Sequence, residues 1–144
     1  MTKTSKISYL FVAIIFFIIF DIYFSNIMMN CVETMSSNPV FDLIFIQNTG
    51  AAFSILENSK IFLISFSAFA ILAMIIYLIK NIQKASSFAI FWASLLIAGV
   101  FCNMYERIAY GYVRDFFKLN FIDFPVFNIS DIFINISVVA IVII

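Results

Sequence analysis

Residues 61–79 read IFLISFSAFAILAMIIYLI and contain no charged side chain. An apolar helix of about 20 residues crosses the roughly 30 Å hydrocarbon core of a bilayer, because each residue adds about 1.5 Å. Hydropathy over a window of about 19 residues indicates three more such stretches, at 7–29, 88–102 and 127–144. The sequence therefore predicts a mainly α-helical integral membrane protein with four transmembrane helices, forming a single membrane-embedded domain over residues 1–144.

The composition agrees with this class. The chain is 65% hydrophobic and 11% charged, with a mean hydropathy of +1.13, which is more apolar surface than a 144-residue globule can bury. A net charge of zero and the absence of histidine argue against nucleic-acid binding and against histidine-based catalysis or metal ligation. No metal or organic cofactor is predicted.

Basic residues indicate the orientation in the membrane. Lys3 and Lys6 precede the first apolar stretch, and Lys80 and Lys84 lie between the second and third. The positive-inside rule places both termini and this short loop in the cytoplasm. A cleaved secretory signal is the alternative for the N-terminus, but the apolar run is long and no clear small-x-small cleavage site follows it.

This orientation places two longer connections, about 30–60 and 103–126, on the opposite side. In the first, a β-prone run within 41–56 leads to a turn at 48–50, which predicts a strand and loop on the membrane surface. The second is dense in polar side chains, for which a simple solvated loop is the alternative explanation. These polar residues are Asn103, Glu106, Arg107, Arg114, Asp115, Lys118 and Asp123.

Two aspartates flank the start of the last apolar stretch, Asp115 and Asp131. A carboxylate at a membrane boundary is costly, so a second one nearby requires an explanation. Two adjacent carboxyl groups cannot both ionise readily, and such a pair can act as acid and base together. Acid–base chemistry on a peptide bond is the interpretation we favour.

Four motifs in sequence order carry a resemblance to a known family, namely Asn48-Thr49-Gly50-Ala51-Ala52-Phe53, Asn103-Met104-Tyr105-Glu106-Arg107, Gly111-Tyr112-Val113-Arg114-Asp115-Phe116 and Pro125-Val126-Phe127-Asn128-Ile129-Ser130-Asp131. Together they resemble lipoprotein signal peptidase, also called signal peptidase II, over nearly the full chain. The first is similar to that family's Asn-x-Gly-Ala-Ala-Phe and the second to its Asn-x-x-Asp-Arg. The last two resemble the segments that carry its catalytic aspartates.

The resemblance implies an aspartyl endopeptidase of the bacterial inner membrane. Such an enzyme removes the signal peptide of prolipoproteins, cutting just before a diacylglyceryl-modified cysteine. Asp115 and Asp131 would be the catalytic pair, one activating water and the other hydrogen-bonding the scissile carbonyl near the extracytoplasmic face. The expected partners are the prolipoprotein signal peptide with its lipidated cysteine and membrane lipid, and the protein is expected to be a monomer.

Further motif residues are expected to bind substrate or to support the pair, namely Asn48, Gly50, Ala51, Asn103, Arg107 and Asn128. For the asparagines at 48 and 128, turn and cap chemistry is the alternative role. Loop flexibility is the alternative for Gly50 and Ala51. Arg107 shares a helix face with Asn103 and is expected to form a structural ion pair, either near Glu106 or with a carboxylate of the pair.

The chain departs from the family pattern outside the two aspartates. The family usually places a lysine one turn after the aspartate of the first span, whereas here Ser25 follows Asp21. Ala98 and Cys102 replace glycines in the third span, which predicts looser helix packing, and Glu106 replaces an aspartate. These changes affect packing and stability more than the type of reaction.

Two other classes of function stay open on sequence alone. A catalytically inactive relative would bind lipoprotein signal helices without hydrolysis. A small transporter subunit would use Asp21 and Asp131 as polar sites inside the membrane, although no internal repeat is visible. A Ser–Lys nucleophile is not excluded by composition.

Overall fold

The protein is described by a computed structural model over residues 1–32, 38–50 and 56–143. Its elements in chain order are α1 (Lys3–Cys31), β1 (Phe41–Asn48), α2 (Lys60–Asn81), α3 (Ser87–Ala109), β2 (Val113–Leu119) and α4 (Ile129–Ile143). The prediction of a mainly helical fold with a small β element is confirmed. The number of membrane spans stays a prediction.

The helices differ in length. Among the described residues, α1, α2 and α3 are long and apolar enough to cross a membrane. Helix α4 has 15 residues, which corresponds to a rise of about 22 Å. Hydroxyl caps begin two of the long helices: Thr2 accepts from the Ser5 amide at 3.2 Å, and Ser86 accepts from the Ala89 amide at 3.0 Å.

Helix α2 presents most of its apolar surface outward. Leu63 is buried, whereas Phe62, Phe66 and Phe69 are each more than half exposed. Contact of such side chains with water costs about 25 cal/mol per Å² of apolar surface, a cost that lipid tails do not impose. The exposed face of α2 therefore fits a membrane environment.

Helix α3 is central and packs against α1, α2 and α4. On its α4 side, a Cβ at Gly99 would lie 2.8 Å from the Ser130 carbonyl oxygen and 3.1 Å from the Phe133 Cβ, so only glycine allows this approach. Ala98 and Cys102, which we expected to loosen the packing, are both fully buried. Gly99 thus brings the start of α4 directly against α3.

Strands β1 and β2 form a two-stranded antiparallel sheet in which Ile46 lies opposite Asp115. The pairing is irregular between Leu43 and Ile46. Beyond the sheet, Phe127 exchanges backbone hydrogen bonds with Phe117, at 2.9 and 3.1 Å. This bridge places the residues that begin α4 beside β2.

Strand β1 lies within the segment that the sequence predicted to be extended. Strand β2 was predicted only as part of a polar connection, because charged residues interrupt its apolar pattern. Four consecutive residues of β2, 113–116, are buried. Burial on both faces removes the alternation by which a strand is usually detected.

Candidate active site

Asp115 lies in β2 and is 2% exposed. Its two carboxyl oxygens accept hydrogen bonds from different elements. The Asn48 side-chain amide, at the end of β1, donates to Oδ2 at 2.9 Å, and the Asn128 side-chain amide donates to Oδ1 at 2.8 Å. The carboxyl group is therefore held from two sides.

Asp131 lies in the first turn of α4 and is half-buried. The Asn103 side-chain amide donates to its Oδ1 at 2.9 Å, and the Asn128 backbone amide donates to its Oδ2 at 3.2 Å. The Asp131 backbone amide in turn donates to the Asn128 Oδ1 at 2.9 Å. This reciprocal arrangement is a helix N-cap, so the turn that begins α4 also orients the Asp131 carboxyl group.

Asn128 connects the two aspartates. Its side chain contacts Asp115 and its backbone contacts Asp131, while its Nδ2 also lies 3.1 Å from the Asn103 Oδ1. Asn128 is 3% exposed, so little bulk water competes for these bonds. The structure thus brings together Asp115, Asp131 and all three asparagines selected from the sequence.

The pKa of Asp115 is raised to about 7. Burial is the largest cause, and the nearby Asp131 carboxylate is the second. Hydrogen bonds from Asn48 and Asn128 and the charge of Arg107 lower the pKa and only partly offset this rise. Asp115 consequently exchanges its proton near neutral pH.

Arg107 supports the turn that follows β1. Its Nη2 donates to the Gly50 carbonyl oxygen at 2.5 Å and its Nη1 to the Asn103 carbonyl oxygen at 3.1 Å. The Gly50 amide donates to the Asn48 Oδ1 at 3.0 Å, which leaves the Asn48 amide free to donate to Asp115. Ala51 lies outside the described residues.

The ion pair expected for Arg107 occurs instead at Arg114. Arg114 Nη2 lies 2.6 Å from Glu106 Oε1, and both side chains are at most 9% exposed. Sequence analysis missed this pair, although an arginine directly before an aspartate in a largely apolar segment was an available signal. The Glu106 and Arg107 side chains thus leave α3 towards different partners.

A second buried contact was also missed. The Ser130 hydroxyl donates to Asp21 Oδ1 at 2.8 Å and joins α1 to the first turn of α4. Asp21 is 2% exposed, and Ser25, where the family usually has lysine, is 3% exposed. Ser130 therefore provides a hydrogen bond to the carboxyl group that lacks its usual basic partner.

No group of three or more His, Cys, Asp or Glu side chains within residues 1–32, 38–50 and 56–143 is placed to hold a metal ion. The carboxyl groups of Asp115 and Asp131 share a hydrogen-bonding network, and one of them exchanges a proton near pH 7. Such a pair can remove a proton from water and donate one to a carbonyl oxygen.

Comparison with known proteins identifies relatives. The family model for signal peptidase (SPase) II matches residues 12–144. A lipoprotein signal peptidase of Streptococcus thermophilus (strain CNRZ 1066) is 39% identical over 121 residues, which cover 83% of this chain and 77% of the relative. A lipoprotein signal peptidase of Buchnera aphidicola subsp. Schizaphis graminum is 38% identical over an alignment of 147 positions, which covers 95% of this chain and 94% of the relative.

Two solved structures of a bacterial membrane enzyme, determined by the in meso method, have similar folds. The one at 2.3 Å resolution has a TM-score of 0.79 and 27% identity, and the match covers 93% of this chain and 85% of that chain. The one at 1.9 Å has a TM-score of 0.73 and 28% identity, with coverage of 93% and 90%. The similarity therefore extends over most of the fold.

Proposed function

The chain belongs to the signal peptidase II family of aspartic peptidases, and from this premise we propose that it cleaves the signal peptide from diacylglyceryl-modified prolipoproteins. The scissile bond lies on the N-terminal side of the lipidated cysteine. The observation that carries the proposal is the contact of Asn128 with both Asp115 and Asp131, because it unites two carboxyl groups into one acid–base unit.

In the proposed reaction, Asp115 carries the proton. Its pKa of about 7 keeps it partly protonated at neutral pH, so it hydrogen-bonds the scissile carbonyl oxygen as negative charge develops there. Asp131, oriented by Asn103 and the Asn128 amide, removes a proton from the attacking water. Collapse of the tetrahedral intermediate returns a proton to the leaving amine, and the two carboxyl groups exchange roles.

The proposed location is the bacterial inner membrane, with four spans and both termini in the cytoplasm. The Lys6 ammonium group donates to the carbonyl oxygens of Gln83 and Ala85, at 3.0 and 2.6 Å, so the start of α1 and the α2–α3 loop lie at one end of the protein. Lys80 and Lys84 belong to the same end, where the positive-inside rule applies. The sheet and the aspartates lie at the extracytoplasmic end.

We propose that residues 1–144 act as one membrane-embedded domain and as a monomer. A signal helix crossing the bilayer presents its C-terminal end at the depth of Asp131, while the lipid chains of the modified cysteine stay among membrane lipids. Asn48, Gly50, Ala51, Asn103, Arg107 and Asn128 support the aspartates or bind the substrate backbone.

A gel-shift assay with purified protein and a diacylglyceryl-modified prolipoprotein tests this function. Asp115→Asn and Asp131→Asn should each abolish cleavage. Asp123→Asn is the matched control, since Asp123 lies in the same connection but is exposed. Cleavage that persists in both variants, or a folded wild type that binds the substrate without cutting it, would contradict the proposal.

A further inference from the structure

Arg114, the residue that precedes Asp115 in β2, is fixed by the end of α3. Its backbone amide donates to Glu106 Oε2 at 2.7 Å, and its Nε and Nη2 donate to Glu106 Oε1 at 2.9 and 2.6 Å. One carboxylate therefore holds both the main chain and the side chain of the residue before Asp115.

Two further contacts fix the Arg114 guanidinium group. Nη1 lies 3.2 Å from the Asn26 Oδ1 of α1, and Cζ lies 4.8 Å from the centroid of the Tyr110 ring. Arg114 consequently joins α1 and α3 to the sheet. A planar guanidinium group suits such a set of contacts better than an ammonium group does.

Successive side chains of a strand point to opposite faces. The Arg114 side chain therefore leaves β2 on the face opposite Asp115, whose carboxyl group contacts Asn48 and Asn128. Asparagines hold the reactive group on one face, and Glu106 holds the adjacent backbone on the other. Neither set of contacts alone fixes both the strand and the carboxyl group.

We propose that Glu106 and Arg114 are a positioning pair that holds Asp115 in its reactive geometry against Asp131. The inference rests on the proposed peptidase activity and adds to it a role for two residues that do not touch substrate. Because a displacement of about 1 Å can lower a rate about 100-fold, a pair one residue from the reacting group has a large effect on kcat. Glu106, which departs from the family's usual aspartate, has its own partner in this chain.

A double substitution separates positioning from plain stabilisation. Arg114→Met alone leaves the Glu106 carboxylate buried and unpaired, so it is expected to lower the unfolding midpoint. Replacing both members of a buried ion pair by apolar residues often restores stability. In Glu106→Met/Arg114→Met the unfolding midpoint should recover, but the backbone amide at position 114 has lost its acceptor, the Glu106 carboxylate.

The expected results are a kcat at least about tenfold below wild type in both the single and the double variant, with KM changed less than about twofold. Arg114→Lys, which retains the charge, should give an intermediate kcat. Lys118→Met is the matched control, because it removes an exposed cation from the same strand and should leave kcat within about twofold. Recovery of kcat together with stability in the double variant would overturn the positioning role.

Hydrogen exchange tests the pair without requiring activity. In Glu106→Met/Arg114→Met, the backbone amide at position 114 should exchange at least about tenfold faster than in wild type, whereas amides in the middle of α2 should not change. An unchanged rate at Arg114 contradicts the inference even if the wild type cleaves. An inactive wild type contradicts the proposed function, while the exchange result still decides whether Glu106 fixes β2.

Discussion

Asn128 and Asp131 cap each other across the first turn of α4: the Asp131 amide donates to Asn128 Oδ1 at 2.9 Å, and the Asn128 amide donates to Asp131 Oδ2 at 3.2 Å. The turn that starts the helix thus also orients the Asp131 carboxyl group, which we propose to be catalytic. Because Asn128 Nδ2 donates in addition to Asp115, one residue caps the helix with its side chain and contacts both carboxyl groups, Asp115 through the side chain and Asp131 through the backbone amide.

Asn128→Ala is expected to lower kcat about 100-fold, since the Asp115 carboxyl group loses a side-chain donor and the Asp131 backbone amide loses the cap of α4. The measurement is cleavage of a diacylglyceryl-modified prolipoprotein. Asn120→Ala is the control, because Asn120 is exposed and its side chain bonds the Asn38 carbonyl oxygen instead of a carboxyl group. Equal rates for the two variants would refute the alignment role.

The pH–rate profile should report the proton on Asp115. With a pKa of about 7, the protonated form that acts as acid is depleted above pH 7, so kcat/KM should fall about tenfold per pH unit on the alkaline side. The Asn48 hydrogen bond favours the ionised form. Asn48→Leu should therefore shift the alkaline fall of kcat/KM to higher pH, while Asn120→Ala leaves it unchanged. A shift to lower pH would contradict the assignment of the proton to Asp115.

Stability should fall as pH rises through the same range. The pKa of Asp115 is about 7 in the folded protein against an ordinary value of 3.8, so folding favours the protonated form. The contribution of protonated Asp115 to the free energy of unfolding is fully present below pH 3.8 and is lost as the pH rises to about 7. The loss is about 4 kcal/mol at most. Asp115→Asn should make this slope between pH 4 and 7 shallower, measured by unfolding in detergent, and an identical slope in wild type and variant would rule the explanation out.

Ser130→Ala should destabilise the protein by about 1–3 kcal/mol, because the buried Asp21 carboxyl group loses a hydrogen-bond donor. Ser137→Ala is a matched control on the same helix, since the Ser137 hydroxyl bonds the Phe133 carbonyl oxygen one turn earlier. Loss of the Ser137 hydroxyl should lower the free energy of unfolding much less. The two unfolding free energies decide the question, and equal values would show that the Asp21 contact has no special weight.

Gly99→Ala is expected to reduce both stability and cleavage. The added methyl group would approach the Ser130 carbonyl oxygen and the Phe133 Cβ, so α4 must move away from α3, and Asp131 moves with it. A cost of about 1–3 kcal/mol is typical of overpacking. Ile108→Ala, which truncates an exposed side chain of the same helix, should change stability by less than about 0.5 kcal/mol.

The long helices were predictable because each is a continuous apolar run, and cap chemistry at Asn128 was one of the two roles that the residue type suggested. Strand β2 was not, since residues buried on both faces show no alternation and Arg114 and Asp115 suggested a solvated loop. A hydropathy profile also cannot predict which polar side chains contact each other when they are distant in sequence. The Ser130–Asp21 contact spans 109 residues, and only the packing of α4 against α1 and α3 brings the two side chains together.

The position of α4 as the last helix described also determines when, during synthesis, the proposed site is assembled. Asn128 and Asp131 follow every other group of the site in the chain, so a ribosome-bound intermediate that lacks α4 holds Asp115 without its partner. The proposed pair of carboxyl groups is therefore complete only after this segment has been synthesised and has packed against α3.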